Sequence, residues 1–146
     1  MNRSAKAYWS GSLKEGTGNL TTQSGVLYKT RYSYASRFEA SGRGTNLEEL
    51  LAAAHAGCFT MAVSNILTEK NLNSTSLETE ATLCTDGLNI TRIHLSIMGC
   101  ISGINSTEFA AIVKDAEKIC LISKILSIPV SAEAHFIPEC FSVLAP

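Results

Sequence analysis

Apolar and polar residues alternate along the N-terminal part of the chain, which is typical of β structure. Residues 5–13 and 19–27 form two short runs of this kind. The segment 14–18 between them carries two glycines and suits a hairpin connection. Residues 28–38 resume the alternation, so we predict a third strand that ends at Phe38.

After residue 44 the apolar residues recur at intervals of three and four, which predicts a helix. Thr45 and Asn46 are residue types that cap helices. Glu48 and Glu49 follow in the first turn, where the helix dipole favours negative charge. We therefore predict a long helix from this cap to about residue 70.

Cys58 lies near the middle of this predicted helix. With about 100° between successive residues, it falls on a stripe that we expect to face the core, shared with Leu47, Leu51, Ala54, Met61, Ala62 and Asn65. Glu49 projects roughly opposite Cys58, whereas Glu48 lies nearer its side. We therefore expect Glu49 to face water and Glu48 to lean towards the cysteine.

A predicted hairpin follows the long helix. Residues 76–85 and 88–98 alternate between apolar and polar, and the Asp86-Gly87 pair between them is a strong two-residue turn signal. The parity of the apolar positions changes along the second strand. This change predicts a β-bulge near Thr91 and Arg92.

A second helix and a last strand complete the pattern. Asn105 and Glu108 have the spacing of a capping box. Apolar residues at intervals of three and four then continue to about residue 126, with Cys120 on the stripe expected to be buried. Residues 130–136 alternate as a strand.

The order strands, helix, hairpin, helix, strand predicts a single α+β domain over residues 1–146 with mainly antiparallel sheet.

The composition supports a folded protein with a covered surface. Hydrophobic residues make up 45% of the chain, which is enough for a core and excludes a disordered or collagen-like protein. Charged residues are 17%, fewer than the roughly 25% of soluble domains, which suggests that an oligomer covers part of the surface. A net charge of −1 gives no electrostatic reason to bind nucleic acid or an anionic membrane.

The sequence favours a cytoplasmic location. Its first residues lack the apolar segment of a secretory signal, and the longest apolar run, residues 50–61, is short for a bilayer span. Persistent disulfides are rare in a reducing compartment. We therefore expect Cys84, Cys100 and Cys140 to be core filler or incidental thiols.

Two interpretations of the five cysteines stay open from the pattern alone. In the first, all five are small buried residues of the core. In the second, Cys58 and Cys120 form a redox pair, which requires their two helices to pack side by side. No Cys-x-x-Cys pair occurs, so structural zinc is not indicated. His55 shares a helix face with Cys58, which allows a Cys–His nucleophile, although a core histidine is the commoner arrangement.

Several segments resemble one known family. Residues 44–64, GTNLEELLAAAHAGCFTMAVS, closely resemble the signature of the OsmC/Ohr family of thiol-dependent peroxidases. Residues 24–27 (SGVL) and 36–39 (SRFE) are similar to the OsmC branch, as are residues 116–123 (AEKICLIS). The segments occur in the same order along nearly the whole chain.

That resemblance implies reduction of organic hydroperoxides, and of hydrogen peroxide more weakly, without a metal or an organic cofactor. It also implies a lipoyl-type dithiol as reductant. By motif position, Cys58 is similar to the peroxidatic cysteine and Cys120 to the resolving cysteine. Arg37 resembles the arginine that faces the reactive thiolate, and Glu48 the glutamate that holds this arginine. The implied architecture is an OsmC-like fold with two long core helices, in an intertwined homodimer with an active site at each subunit interface.

The implied chemistry needs a stabilised thiolate, because a free cysteine is mostly protonated at neutral pH. Cys58 lies too far along its helix to benefit from the N-terminal dipole. Arg37 suits the task because its guanidinium is always charged and presents several donors. Glu48 can hold one edge of that guanidinium and fix its orientation.

Two positions depart from the pattern of the family, which usually has proline where this chain has Leu47 and Leu121. The second departure follows Cys120 directly and bears on how the helix bends when a disulfide forms. Two rival functions remain: a non-catalytic apolar-ligand-binding protein of the same fold, and a Cys–His transferase or hydrolase that uses His55.

Overall fold

The computed structural model describes residues 1–40 and 42–140. The chain divides into two compact units, Met1–Leu51 and Ala52–Pro146. Its elements in chain order are β1 (Ala5–Ser10), β2 (Thr17–Thr22), β3 (Thr30–Tyr32), α1 (Tyr34–Phe38), α2 (Leu47–Glu69), β4 (Ser74–Asp86), β5 (Asn89–Ile101), α3 (Ser106–Ile119), α4 (Leu121–Ile125) and β6 (Val130–Phe136). The predicted α+β class with core helices and mainly antiparallel sheet is confirmed.

The N-terminal unit holds an antiparallel sheet in the order β1-β2-β3, with the predicted hairpin between its first two strands. The prediction of a strand up to Phe38 is wrong, because Tyr34–Phe38 is the short helix α1. Ser33 and Ser36 make a reciprocal cap: the Ser33 side chain accepts from the Ser36 N–H, and the Ser36 side chain accepts from the Ser33 N–H. This local pair of hydrogen bonds outweighs the alternating pattern.

Helix α2 begins and ends close to the predicted positions. The Asn46 side chain caps it by accepting from the Glu49 N–H at 2.8 Å. At the other end Asn71 takes a left-handed conformation with φ of 57°, and the Leu72 N–H donates to the Leu67 carbonyl. By length and composition α2 would also suffice to cross a bilayer, contrary to the expectation from the shorter apolar run, but core helices meet the same criterion.

The predicted buried face of α2 is wrong except at Ala62. The buried residues are His55, Phe59, Ala62, Val63, Ile66 and Leu67. Leu47, Met61 and Asn65 are exposed instead, and Cys58 is half-buried at the edge of the buried face. The helix is rich in small and apolar residues on every side, so its sequence does not define a single core-facing stripe.

The second unit holds the sheet β4-β5-β6, antiparallel between β4 and β5 and parallel between β5 and β6. The bulge is confirmed: Cys84 pairs with Arg92 and Thr85 with Ile90, which leaves Thr91 as the extra residue. Helix α3 packs against β6. The core residues from β5 and α3 are Ile93, Leu95, Ile97, Cys100, Ile101, Phe109, Ile112, Val113 and Ala116.

The second predicted helix exists but is interrupted. Its capping box is confirmed, with the Glu108 N–H donating to Asn105 Oδ1 at 3.0 Å and the Asn105 N–H to Glu108 Oε2 at 2.8 Å. The expected continuation to residue 126 is wrong, because Cys120 is extended with φ of −60° and ψ of 119°. Helix α3 therefore ends before Cys120, and α4 begins after it.

Cys100 and Cys140 form a disulfide, which contradicts the expectation that both are incidental thiols. Parallel pairing of β6 with β5 extends to a hydrogen bond from the Ile137 N–H to the Gly99 carbonyl. The chain after β6 thus continues beside the end of β5, with 5.7 Å between the Cα atoms of the two cysteines. Only the strand pairing, and not the spacing in sequence, brings the two residues together.

Candidate active site

Cys58 and Cys120 come together in the C-terminal unit. Cys58 projects from α2, and Cys120 occupies the junction between α3 and α4. The Cys120 thiol donates to the Cys58 sulfur across 3.3 Å. Cys120 is buried and Cys58 is half-buried. A disulfide bond measures about 2.05 Å, so oxidation needs only a short further approach of the two sulfur atoms.

Four influences act on the pKa of the Cys58 thiol. Burial raises the pKa because it penalises the thiolate. Hydrogen bonds from the Ile122 N–H, the Cys120 thiol and the Leu121 N–H lower it, and the net effect is a lowered pKa. The two N–H groups belong to the first turn of α4, whose donors have no partner within a helix. The structure therefore favours the thiolate at Cys58.

The sequence gives no direct sign of the contribution of Leu121 and Ile122 to the pKa of Cys58. Both residues act through backbone N–H groups, so their side chains carry no signature of this role. The one signal that points to it is the break at Cys120, since a new helix start places free N–H groups beside that residue.

A largely apolar depression of about 380 Å³ opens beside the two sulfur atoms. Its lining residues are Cys58, Met61, Ala62, Asn65, Ile119, Cys120 and Leu121. Met61 is 74% exposed and Leu121 is 69% exposed, so the rim of the depression presents apolar side chains to solvent. This surface suits an apolar group placed next to the reactive sulfur atoms.

Arg37 and Glu48 come together in the N-terminal unit. Arg37 Nε donates to Glu48 Oε1 at 2.7 Å, and Nη2 forms an ion pair with the same carboxylate oxygen at 2.6 Å. Both side chains are partly buried, at 29% and 20% exposure. One edge of the guanidinium is therefore held in place, while Nη1 makes no hydrogen bond to the described part of the chain.

Helix α1 sets the position of Arg37, which lies in its last turn. The buried Ser36 hydroxyl donates to the Thr45 carbonyl at 2.8 Å, and Asn46 Nδ2 donates to the Ser36 carbonyl at 3.4 Å. These bonds tie α1 to the residues that start α2. Glu48, and not Glu49, therefore contacts Arg37.

The two adjacent glutamates behave differently, as their angles on the helix suggest. Glu49 is exposed and accepts from the Thr45 hydroxyl at 2.6 Å. Glu48 is half-buried, and its Oε2 is buried without a hydrogen bond from residues 1–40 or 42–140. The carboxylate thus keeps one acceptor oxygen available in addition to the one that holds Arg37.

An apolar cleft of about 320 Å³ also lies in the N-terminal unit, with Arg37 among its walls. The other lining residues are Trp9, Leu13, Tyr32, Ser33, Tyr34, Phe38, Asn46 and Leu47. The Arg37 guanidinium lies 4.9 Å from the centre of the Phe38 ring, a cation–π arrangement. The cleft therefore offers an apolar lining with one fixed cation.

The remaining candidates from the sequence lie apart from these groups or have other partners. Cys84 is a free, half-buried thiol on β4. His55 is fully buried, and its Nε2 lies 2.8 Å from the Ser123 hydroxyl. Burial lowers the pKa of His55, so its imidazole is neutral at neutral pH. Across the described residues, no group of three His, Cys, Asp or Glu side chains could hold a metal ion.

Comparison with known proteins shows likeness along almost the entire chain. Residues 40–134 match the family described as OsmC-like protein. Peroxiredoxin OsmC of Escherichia coli (strain K12) is 36% identical over 137 residues, which are 91% of this chain and 95% of that protein. The organic hydroperoxide resistance protein OhrB of Bacillus subtilis has a similar structure, with a TM-score of 0.64 and 25% identity over 92% of this chain and 98% of that one. An OsmC-like protein of unknown function from Vibrio cholerae shares the fold, with a TM-score of 0.72 at 16% identity over 92% and 99% of the two chains.

Proposed function

We propose that this chain, which belongs to the OsmC-like family and is a cysteine-based peroxidase, reduces organic hydroperoxides through Cys58 and Cys120. Hydrogen peroxide would be a weaker substrate. The observation that carries this proposal is the hydrogen bond from the Cys120 thiol to the Cys58 sulfur at 3.3 Å. It pairs a nucleophile that has a lowered pKa with a second thiol within reach.

The proposed cycle has three steps. The Cys58 thiolate attacks the O–O bond, which leaves a sulfenic acid on Cys58 and releases an alkoxide that is protonated to the alcohol. The Cys120 sulfur, after losing its proton, attacks the Cys58 sulfur and displaces hydroxide, which is released as water as the Cys58–Cys120 disulfide forms. An external dithiol of the lipoyl type then reduces this disulfide by exchange and is itself oxidised to a disulfide.

Arg37 and Glu48 serve as the electrostatic part of this site in our proposal. The guanidinium stabilises the Cys58 thiolate and polarises the peroxide, and Glu48 holds it in the orientation required. Support comes from the hydrogen bond of Nε and the ion pair of Nη2 to Glu48 Oε1, which immobilise one edge of Arg37 and leave Nη1 for another acceptor. The apolar lining of the cleft at Arg37 and of the depression at Cys58 suits an alkyl hydroperoxide.

We also propose that the protein works as a homodimer in the cytoplasm, where the Cys100–Cys140 bond is an exception to the rarity of disulfides in a reducing compartment. Support for the dimer comes from the family and from four exposed apolar residues near the reactive sulfurs and on α4, namely Met61, Ile119, Leu121 and Ile125. Light scattering on the purified protein measures the assembly state directly. A monomer at micromolar concentration would contradict this part of the proposal.

Substitution of the proposed nucleophile tests the function. Cys58→Ser should abolish consumption of an alkyl hydroperoxide in the presence of dihydrolipoamide, while the circular dichroism spectrum stays unchanged. The matched control is Cys84→Ser, because Cys84 is also a half-buried free thiol and has no part in the proposed cycle. Retained turnover in Cys58→Ser would contradict the assignment.

Thiol titration separates the enzyme from an apolar-ligand-binding protein. Stoichiometric hydroperoxide should remove two thiols per chain from the reduced wild-type protein, and peptide mapping should assign both to Cys58 and Cys120. A binding protein without turnover would keep all its thiols.

A further inference from the structure

A second link between α2 and α4 runs beside the pair of sulfur atoms. His55 and Cys58 are three residues apart on α2, and Cys120 and Ser123 are three residues apart at the start of α4. His55 and Cys58 are therefore neighbours on one face of α2, and Cys120 is the N-cap residue of the short helix that holds Ser123. The Cys120 sulfur lies 3.3 Å from the Cys58 sulfur, and the Ser123 hydroxyl lies 2.8 Å from His55 Nε2. The two contacts therefore act as adjacent crosslinks between the same two segments.

Helix α4 has few other means of holding its position. It has five residues, none of them buried, and no side chain caps its start. Leu121 and Ile125 are 69% and 74% exposed. A single helical turn is not stable by itself, so its position depends on tertiary contacts such as the bond to His55.

Stability alone does not account for a histidine at position 55. The side chain is fully buried, and its Nδ1 makes no hydrogen bond within residues 1–40 and 42–140. A buried polar atom without a partner carries a desolvation cost that an apolar side chain would avoid. The imidazole does, however, form a hydrogen bond with Ser123 that an apolar side chain could not form.

We infer that His55 is a positioning residue for the resolving step: through Ser123 it holds the first turn of α4, so that the Cys120 sulfur stays in reach of the Cys58 sulfur. This inference rests on the proposed roles of the two cysteines. In this role His55 neither forms nor breaks a covalent bond, and it does not activate Cys58 as the base of a Cys–His pair.

Glutathione disulfide tests the inference without any hydroperoxide. The Cys58 thiolate attacks it and forms a mixed disulfide, with one glutathione thiolate released. The Cys120 thiolate then attacks the Cys58 sulfur, forms the Cys58–Cys120 disulfide and releases the second glutathione. Acid quenching and mass spectrometry give the rate of this second, intramolecular step.

Ser123→Ala should slow the intramolecular step by roughly three- to tenfold, the effect of one net hydrogen bond on the reactive arrangement. The matched control is Thr60→Val, which removes a different hydroxyl contact of α2, 2.6 Å from the Thr79 hydroxyl on β4. It should convert at the wild-type rate. An unchanged rate in Ser123→Ala, or an equal loss in Thr60→Val, overturns the inference.

Two substitutions of His55 separate positioning from packing. His55→Gln keeps a polar group near the Ser123 hydroxyl and should restore most of the wild-type rate. His55→Leu should slow the step as Ser123→Ala does, while its melting temperature stays near or above that of His55→Gln because the unpartnered Nδ1 is gone. Rates that follow the melting temperatures in this pair would show a packing role only.

The outcomes distinguish this inference from the proposed function. A wild-type protein that ignores hydroperoxides but shows the Ser123 effect with glutathione disulfide disproves the peroxidase and keeps the positioning role. A protein that turns over hydroperoxides, but whose Ser123→Ala variant completes the intramolecular step at the wild-type rate, supports the peroxidase and disproves the positioning role.

Discussion

The substitution Leu121→Pro isolates one backbone donor of the candidate site. Leu121 is the first residue of α4, the helical position that proline tolerates best. Cys120 before it is already extended, with φ of −60° and ψ of 119°, as a residue preceding proline must be. The Leu121 side chain is 69% exposed, so its loss costs little packing. Proline therefore removes the N–H and leaves the fold intact.

The size of the effect follows from the groups around the Cys58 sulfur. Burial raises the pKa of Cys58, and donors from Ile122, Cys120 and Leu121 lower it, with Leu121 the smallest contributor. One net hydrogen bond contributes about 0.5–1.5 kcal/mol. We take the lower end for the smallest donor, which corresponds to alkylation of Cys58 roughly two- to fourfold slower at neutral pH.

The assay is the rate of Cys58 alkylation by iodoacetamide from acid to alkaline pH, followed by peptide mapping. Because the thiolate is the reactive form, loss of a donor raises the pKa and moves the profile towards higher pH. The rates should converge at alkaline pH, where the thiol is ionised in every variant.

The matched control is Leu121→Ala, which removes the exposed side chain and keeps the N–H. It should reproduce the wild-type profile. Identical profiles for Leu121→Pro and Leu121→Ala, with unchanged melting temperatures, would refute the reasoning that this backbone donor stabilises the thiolate. The family usually has proline here, so the same experiment measures what the leucine of this chain adds.

Three further predictions address the other parts of the proposed site and the fold. Arg37→Ala should slow Cys58 alkylation at neutral pH, while Arg43→Ala, which removes an exposed arginine, should not; equal rates in both variants would remove Arg37 from the mechanism. Cys120→Ser should accumulate sulfenic or over-oxidised Cys58 under hydroperoxide, and mass spectrometry that shows another cysteine linked to Cys58 would disprove the resolving role. Cys140→Ser should open a loop with a sequence separation of 40 residues and destabilise the protein by about 4 kcal/mol, or roughly 8–16 °C in melting temperature, whereas Cys84→Ser should melt near the wild-type temperature.

Local signals predicted much of the fold correctly. Asn46 and Asn105 cap the two long helices as expected, and the parity change at Thr91 located the bulge. Each of these features depends on residues only a few positions apart, so the residue types alone decide them. The same holds for the different orientations of Glu48 and Glu49.

The sequence accounts for only part of the candidate site. The resemblance singled out Cys58, Cys120, Arg37 and Glu48 by motif position. It did not identify the backbone donors of Leu121 and Ile122, because nearly every residue type has a backbone N–H group. Nor did it identify the hydrogen bond between His55 and Ser123, since the two residues are 68 positions apart in the sequence.

The sequence by itself determined where most helices and strands begin, which residues cap them and which family motif the chain carries. The tertiary structure alone decided which face of α2 is buried, where the second helix breaks, and that Cys100 meets Cys140. The reason is one of range. Caps, turns and periodicity act within a few residues, whereas burial and sulfur–sulfur contact depend on how distant segments pack, and small apolar residues on every side of α2 leave that packing unspecified.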